Sequence, residues 1–334
     1  MSVGFRHRRD AGVRAGDLSG FSRLNGMACI VAVALVLAAW ARPCPGEAAA
    51  DPGMDRYYNA NALCKRGLYP LAIKEYQAFL AANPGHEKVP RAQWGLAICY
   101  YGMGAMDKAA ALLERLAGNA QVTEQEQLHN LWGSSLAVLG KQAEAVKAFE
   151  WTLKNTKEQA RKADALAGLT QAHALLEDWP AAIRTSEDLI KLAPDSPYAD
   201  LVRYQGAVAR MNLKQYAEAA EAFERLIASS KDAELVHQSV YQVAECLVKL
   251  DKPAEAIKRY ESAATSKPGA FSEAAHLNLG LLQFRTGDYP RAITILRDFA
   301  KKYPGSARAD EAVLFLGRAY LDLAGMPAFA GDHI

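Results

Sequence analysis

The chain has 334 residues, of which 51% are hydrophobic, and its formal net charge at pH 7 is +2. This length and apolar content are enough for a substantial core. The near-neutral charge argues against nucleic-acid binding, which needs a concentrated basic surface. Alanine is frequent, and the alternation of apolar and polar residues that is typical of strands is almost absent, so the composition predicts an all-α fold.

The first fifty residues have the features of a targeting segment. Five arginines precede the short apolar run MACIVAVALVLAAW at residues 27–40, and small residues follow it. This order predicts a secretory signal peptide in residues 1–50, with Ala41 or Ala50 as the cleavage points, and a periplasmic protein. The alternative is an uncleaved single anchor in the inner membrane. Both put the rest of the chain across the membrane, because the arginines hold the N-terminus inside.

The remainder of the chain repeats with a period of 36–37 residues. Each repeat has a small residue, an alanine twelve residues later, and a large apolar residue four residues after that. The alanines are Ala72, Ala109, Ala145, Ala182, Ala219, Ala256 and Ala292. The small positions are Ala60, Ala97, Gly133, Thr170, Ala207, Ala244 and Gly280, and the large positions are Tyr76, Leu113, Phe149, Ser186, Phe223, Tyr260 and Leu296.

This spacing predicts a helix–turn–helix unit in each repeat, in which the small residue of the first helix lets the second helix approach closely. Glycines stand where the first helix should end, at Gly67, Gly104, Gly140 and Gly287. The fourth repeat departs from the pattern with Thr170 and Ser186, and we expect a bend or a loosened joint there. The repeats are predicted to occupy residues 54–326, and residues 327–334 form a tail.

The repeat spacing resembles that of the tetratricopeptide repeat family, although that family has a period of 34. The resemblance implies a right-handed superhelical α-solenoid of about seven helix–turn–helix repeats plus a C-terminal capping helix. Polar residues of that last helix, Arg308, Asp310, Arg318 and Asp322, are expected to form its outer face. The stretches YYNANALCKRGLYPLAIKEY and HLNLGLLQFRTGDYPRAITIL also resemble repeats of bacterial envelope proteins, namely the Tol-Pal coordinator and the repeat lipoprotein of outer-membrane barrel assembly.

The resemblance also implies which first-helix residues face a concave groove. Aromatic rings interleaved with amide and guanidinium groups suit an extended peptide ligand. The alternative is that individual rings fill gaps between neighbouring helices. The predicted groove residues are Tyr57, Asn61, Arg91, Trp94, Tyr101, Asn130, Tyr204, Met211, Tyr241, Phe284 and Arg285.

The chemistry-bearing residues show no pattern that is typical of an active site. Beyond the targeting segment the chain has Cys64, Cys99 and Cys246, which are interpreted as small residues at helix positions. A bridge between Cys64 and Cys99 is an alternative that the sequence does not decide. The histidines occupy unrelated repeat positions without metal-ligand spacing, so no metal, no cofactor and no catalytic residue is predicted.

The expected function is therefore that of a non-catalytic scaffold in the bacterial cell envelope. Its partners are expected to be proteins or peptides, without nucleic acid, and membrane contact is expected only through the N-terminal segment if it is uncleaved. One alternative is a membrane-anchored structural subunit of a secretion or polysaccharide-export assembly. A less favoured alternative is a murein-processing enzyme built on an α-solenoid.

Overall fold

The computed structural model describes residues 54–265 and 269–325. The predicted targeting segment and the tail at 327–334 lie outside these residues. The chain divides into two compact units between Tyr198 and Ala199, directly after the fourth repeat. We describe each unit by itself.

Unit 1 consists of four helix pairs within residues 54–198. Each first helix packs antiparallel against its second helix, and the second helix then packs on the first helix of the next pair. The helices are α1 (Asp55–Lys65), α2 (Tyr69–Ala82), α3 (Val89–Gly102), α4 (Met106–Leu116), α5 (Gln125–Val138), α6 (Gln142–Asn155), α7 (Gln159–Leu175) and α8 (Trp179–Leu192).

Unit 2 continues the pattern with three helix pairs and one further first helix within residues 199–325. Its helices are α9 (Ala199–Asn212), α10 (Tyr216–Ser229), α11 (Ala233–Lys249), α12 (Pro253–Thr265), α13 (Ala270–Arg285), α14 (Tyr289–Lys302) and α15 (Ala309–Ala324). The described residues contain helices and turns without a strand, so the predicted all-α fold is confirmed.

The predicted packing positions lie in the core. All seven repeat alanines have no exposed surface. A Cβ at Gly133 would lie 2.9 Å from the Phe149 ring, and one at Gly280 would lie 2.7 Å from Leu296. The small residue and the large residue of a repeat therefore touch across the helix pair, as the sequence spacing predicts.

The first helices within each unit also contact one another. In unit 2, α9 packs on α11, α11 on α13, and α13 on α15. In unit 1 the same contact joins α1 to α3 and α5 to α7. A side chain on a first helix can therefore meet side chains from the neighbouring repeats, and this contact positions the site described below.

The turn inside every repeat places one residue in the left-handed conformation. The predicted glycines have φ between +72° at Gly67 and +82° at Gly287. The fourth, fifth and sixth repeats use Glu177, Lys214 and Asp251 at this position, with φ of +59°, +62° and +56°. The turn geometry is thus conserved along the chain even where the glycine is not.

The fourth repeat buries polar groups at its two irregular positions. The Thr170 hydroxyl group shares its one proton between Thr185 Oγ1, at 2.9 Å, and a backbone carbonyl of its own helix, and the Thr185 hydroxyl donates to a backbone carbonyl of its own helix. Ser186 is buried beside them. Hydrogen bonds therefore replace the small–large apolar contact here, and the bend that we expect at this repeat stays a prediction.

Helix α15 exposes apolar side chains along with the polar residues expected there. Val313, Leu314 and Leu321 are 56%, 54% and 74% exposed, and a Cβ at Gly317 would meet no atom within 4 Å. Gly317 occupies the small position of an eighth repeat. In the earlier repeats, this face of the first helix is covered by a second helix. Within the described residues, the same face of α15 is exposed.

A half-buried carboxyl group in unit 1 makes stability depend on pH. Burial raises the pKa of Asp164, on α7, from 3.8 to about 6, although a hydrogen bond with Tyr198 and the charge of Arg161 act in the opposite direction. Because the folded-state pKa lies above the unfolded one, the contribution of Asp164 to stability is greatest below about pH 4 and is lost as the pH rises through 6.

Replacement of Asp164 by asparagine is expected to raise the free energy of unfolding at pH 7 by about 1–2 kcal/mol, because the buried negative charge is removed. The difference from wild type should vanish near pH 4. Urea denaturation at pH 4, 5.5 and 7 measures this, with the exposed Asp195→Asn variant as control. A difference that does not depend on pH would contradict the assignment.

Candidate functional site

The structure places the predicted groove residues in three environments. Five rings are buried, five residues are half-buried, and one side chain is exposed. The buried ones are Tyr57, Trp94, Tyr101, Tyr204 and Tyr241; the half-buried ones are Asn61, Arg91, Asn130, Met211 and Phe284; the exposed one is Arg285.

Three of the buried rings pack on a ring of the second helix of their own repeat. The Tyr57 ring lies 5.5 Å from that of Phe79, Tyr204 lies 5.5 Å from Phe223, and the two rings at 241 and 260 are 5.9 Å apart. These tyrosines stand three residues before the small position, which turns them towards the helix pair. They fill gaps between helices, and their contact with a partner stays a prediction.

Two polar groove residues of unit 1, Asn61 and Arg91, are bonded to different neighbours. The hydroxyl of Tyr76 donates to Asn61 Oδ1 at 2.6 Å. The Arg91 guanidinium donates to Thr123 Oγ1 at 3.1 Å and lies 3.8 Å from the Glu124 carboxylate. Asn61 thus connects α1 to α2, and Arg91 connects α3 to the segment before α5.

A polar cluster in unit 2 joins three consecutive first helices. We call it the Glu245 cluster. Its members are Tyr241 and Glu245 on α11, Tyr260 on α12, Asn278 on α13, and Arg308 at the start of α15. Tyr241 is among the groove residues predicted from the sequence.

The hydrogen bonds of the Glu245 cluster converge on one carboxylate oxygen. Tyr260 donates a short hydrogen bond to Glu245 Oε1, and Asn278 Nδ2 donates to the same atom at 2.8 Å. Asn278 Nδ2 also donates to the Tyr241 hydroxyl at 3.1 Å, and Asn278 Oδ1 accepts from Arg308 Nη1 at 3.0 Å. Asn278 is thus the link between the carboxylate and the guanidinium.

Burial and charge keep both phenols of the cluster protonated. Burial raises the pKa of Tyr241 and of Tyr260 well above that of free tyrosine, and the nearby negative charge of Glu245 raises both further. Their hydroxyl groups therefore remain neutral hydrogen-bonding groups at physiological pH. Glu245, Asn278 and Arg308 are half-buried, so the cluster reaches the surface.

Periodicity alone does not reveal Asn278 and Arg308. Asn278 stands two residues before its small position, where Gly95 and Gly168 stand in two other repeats. A Cβ at either glycine would lie under 3.0 Å from the large residue of the preceding repeat. A residue two places before the small position therefore contacts the second helix of the preceding repeat. A polar side chain at that place is the sequence signal that could have identified Asn278.

Unit 2 also contains a cavity that is lined mainly by two of its second helices. A cavity of about 430 Å³ opens between α10 and α12. Val243 and Leu247 of α11 contribute apolar surface to it, and the ion pair between Arg259 and Glu224, 2.5 Å apart, stands at its wall. Glutamates, lysine and arginine line it together, so its charges are largely compensated within the chain.

The described ranges contain neither a group of potential metal ligands nor a helix that could span a membrane. No three His, Cys, Asp or Glu side chains within residues 54–265 and 269–325 gather as metal ligands. None of the helices in that part of the chain is long and apolar enough to cross a bilayer.

The paired helices, the repeated small–large contacts and the row of contacting first helices define an α-solenoid. The model of the tetratricopeptide repeat family matches residues 58–122, 130–197, 204–271, 241–307 and 277–325. These matches cover more than half of the chain, which therefore belongs to the tetratricopeptide repeat family. Members of this family are built as protein-interaction scaffolds. No curated protein matches the chain.

Solved structures, two of them of tetratricopeptide repeat proteins, share the fold. The C-terminal part of a repeat protein from Cytophaga hutchinsonii has a TM-score of 0.61 at 16% identity, covering 77% of this chain and 98% of that one. The apo form of RapI has a TM-score of 0.58 at 12% identity, covering 84% and 83%. A repeat protein from Parabacteroides merdae has a TM-score of 0.52 at 15% identity, covering 81% and 100%. At these identities the likeness concerns the fold alone.

Proposed function

We propose that the chain is an exported scaffold of the bacterial envelope that binds an extended segment of a partner protein along the first helices of unit 2. The Glu245 cluster carries this proposal, because it joins three consecutive first helices and combines an acceptor, a donor and an amide at the surface. The further likeness to Tol-Pal or outer-membrane assembly proteins has no support from the matched structures, and the proposal does not depend on it.

The chemistry of the cluster suits a peptide backbone. An extended segment presents alternating N–H and C=O groups, which carboxylate and guanidinium side chains can bind. Met211 and Arg285 flank the cluster, and by helical periodicity they lie on the same side of their helices as Glu245. Arg285 is exposed and Met211 is half-buried, so a charged side chain and the exposed part of an apolar side chain are available beside the polar centre.

The envelope location rests on the sequence of residues 1–50. A basic stretch, an apolar run and small residues support export. Cell fractionation followed by mass spectrometry of the N-terminus tests this. A periplasmic protein that begins after Ala41 or Ala50 supports a cleaved signal, retained Met1 in the inner membrane supports the anchor, and a cytoplasmic protein would contradict export.

Site-specific photo-crosslinking tests the binding surface. A photo-reactive amino acid placed at Met211 or Arg285 is expected to crosslink a partner in cells. Placed at the exposed Arg225 of α10, on a second helix, it is expected to give no such product. A synthetic peptide of the crosslinked segment should then bind the Glu245→Gln variant about tenfold more weakly, a loss of one charge-assisted hydrogen bond. Crosslinks from Arg225 alone would overturn the proposed surface.

A further inference from the structure

Two cysteines of neighbouring repeats meet in the core of unit 1. Cys64 on α1 and Cys99 on α3 are 3% and 0% exposed and belong to the same core cluster. Helices α1 and α3 pack on each other, and the two thiols are hydrogen-bonded to one another. Both are free thiols in the structure.

The shared hydrogen bond makes the two sulfurs unequal. This bond lowers the pKa of Cys64 and raises that of Cys99, and burial acts to raise both. Cys64 is therefore the sulfur that is more readily deprotonated, and the thiolate is the form that reacts with disulfides.

We propose that Cys64 and Cys99 form a disulfide bond that joins the first two repeats. The oxidant is a disulfide, R–S–S–R, of a small molecule or of a protein. The Cys64 thiolate attacks one sulfur of it and expels RS⁻. Cys99, once deprotonated, attacks the Cys64 sulfur and expels a second RS⁻. Two thiols are oxidised to one disulfide, the reagent is reduced to two RSH, and the two cysteine protons pass to the two RS⁻ groups.

The buried thiols become accessible when the first repeat opens. In a repeat array each repeat is stabilised mainly by its neighbours, and local opening exposes groups that are buried in the native state. Separation of α1 and α2 from α3 uncovers both sulfurs, and folding from the unfolded chain gives the same access. The bond then prevents α1 from separating again, so oxidation should protect the first repeat.

The chain contains a matched position that lacks the partner cysteine. Cys246 on α11 stands two residues after its small position, as Cys99 does, and it is equally buried. The residue four places after the small position of the preceding repeat is Met211, where the earlier pair has Cys64. Met211 packs in the same cluster as Cys246, and α9 contacts α11. Cys246 should therefore remain a thiol.

Oxidation of the reduced full chain tests the proposal. The protein is incubated with oxidised glutathione, both folded and during refolding from urea. It is then alkylated in denaturant and digested without reduction for mass spectrometry. We expect a peptide that links Cys64 to Cys99 and has lost two hydrogen atoms, with Cys246 alkylated. Amide hydrogen exchange in α1 and α2 should slow by about tenfold on oxidation.

Three variants serve as controls. Cys246→Ser should keep the link, and Cys64→Ser should lose both the link and the slower exchange. Met211→Cys should gain a second link, from position 211 to Cys246. The proposal is overturned if, under both conditions, Cys64 and Cys99 are alkylated, each carry glutathione, or pair with another cysteine.

Discussion

Replacing Phe149 with alanine is expected to lower the free energy of unfolding of unit 1 by about 3–5 kcal/mol. Phe149 is 2% exposed and lies between two first helices. Its ring approaches Gly133 of its own repeat and Gly168 of the next so closely that a Cβ at either glycine would lie within 3.0 Å of it. The substitution leaves a cavity between the two first helices. Because both helices are closely packed, they can move little to fill it.

Two further variants test whether the Phe149 ring is in direct contact with Gly168. Gly168→Ala is expected to cost about 1–3 kcal/mol, because its methyl group collides with the ring. Combining it with Phe149→Leu should cost less than the sum of the two single changes, because the smaller side chain relieves the collision. Urea denaturation and hydrogen exchange of α5–α7 measure these effects, with the exposed Glu150→Ala on the same helix as control. Additive costs would contradict the shared contact.

Replacing Glu245 with alanine is expected to lower the free energy of unfolding of unit 2 by about 2–4 kcal/mol. The Tyr260 hydroxyl and the Asn278 amide lose their charged acceptor, and an unpaired buried donor costs about 1–3 kcal/mol. Glu245→Gln should cost about 1 kcal/mol, since its carbonyl oxygen still accepts. Glu245→Gln nearly keeps the side-chain volume and changes only the charge of the acceptor, whereas Glu245→Ala removes both the acceptor and the volume.

A double-mutant cycle with Tyr260→Phe tests that account. If Tyr260 donates to Glu245, the phenylalanine variant removes the donor, and Glu245→Ala should then cost about 1 kcal/mol less than in the wild-type background. Thermal unfolding, monitored by circular dichroism, measures the stability of each of the four proteins in the cycle. The exposed Glu255→Ala on α12 is the control. Equal costs in both backgrounds would show that the hydrogen bond adds nothing to stability.

The sequence was sufficient to predict the repeat register. Seven alanines at steps of 36 or 37 residues identified seven positions that are all fully buried, because close helix approach restricts side-chain size at each of them. The turn position could also be located from four glycines, and the structure shows the same backbone in three repeats without glycine. Local spacing and steric limits determine both features.

The site was less accessible to sequence reasoning because it depends on contacts between repeats. Periodicity assigns Tyr204 and Tyr241 to a stripe on the first helix, but a ring on that stripe is long enough to turn into the helix pair, as both do. Asn278 and Arg308 meet α11 only through the packing of neighbouring first helices. Likewise, the separation of 35 residues between Cys64 and Cys99 does not decide whether their sulfurs meet.

The left-handed turn residues have a consequence for how the chain bears load. Glu177, Lys214 and Asp251 belong to three consecutive repeats, and a side chain in this conformation costs about 1–2 kcal/mol relative to glycine. The fourth repeat, which also replaces its apolar contact with buried threonines, directly precedes the division between the units. Strain and polar packing thus coincide in the interior of the array. When the chain is pulled, we therefore expect the fourth to sixth repeats to unfold before the repeats at either end.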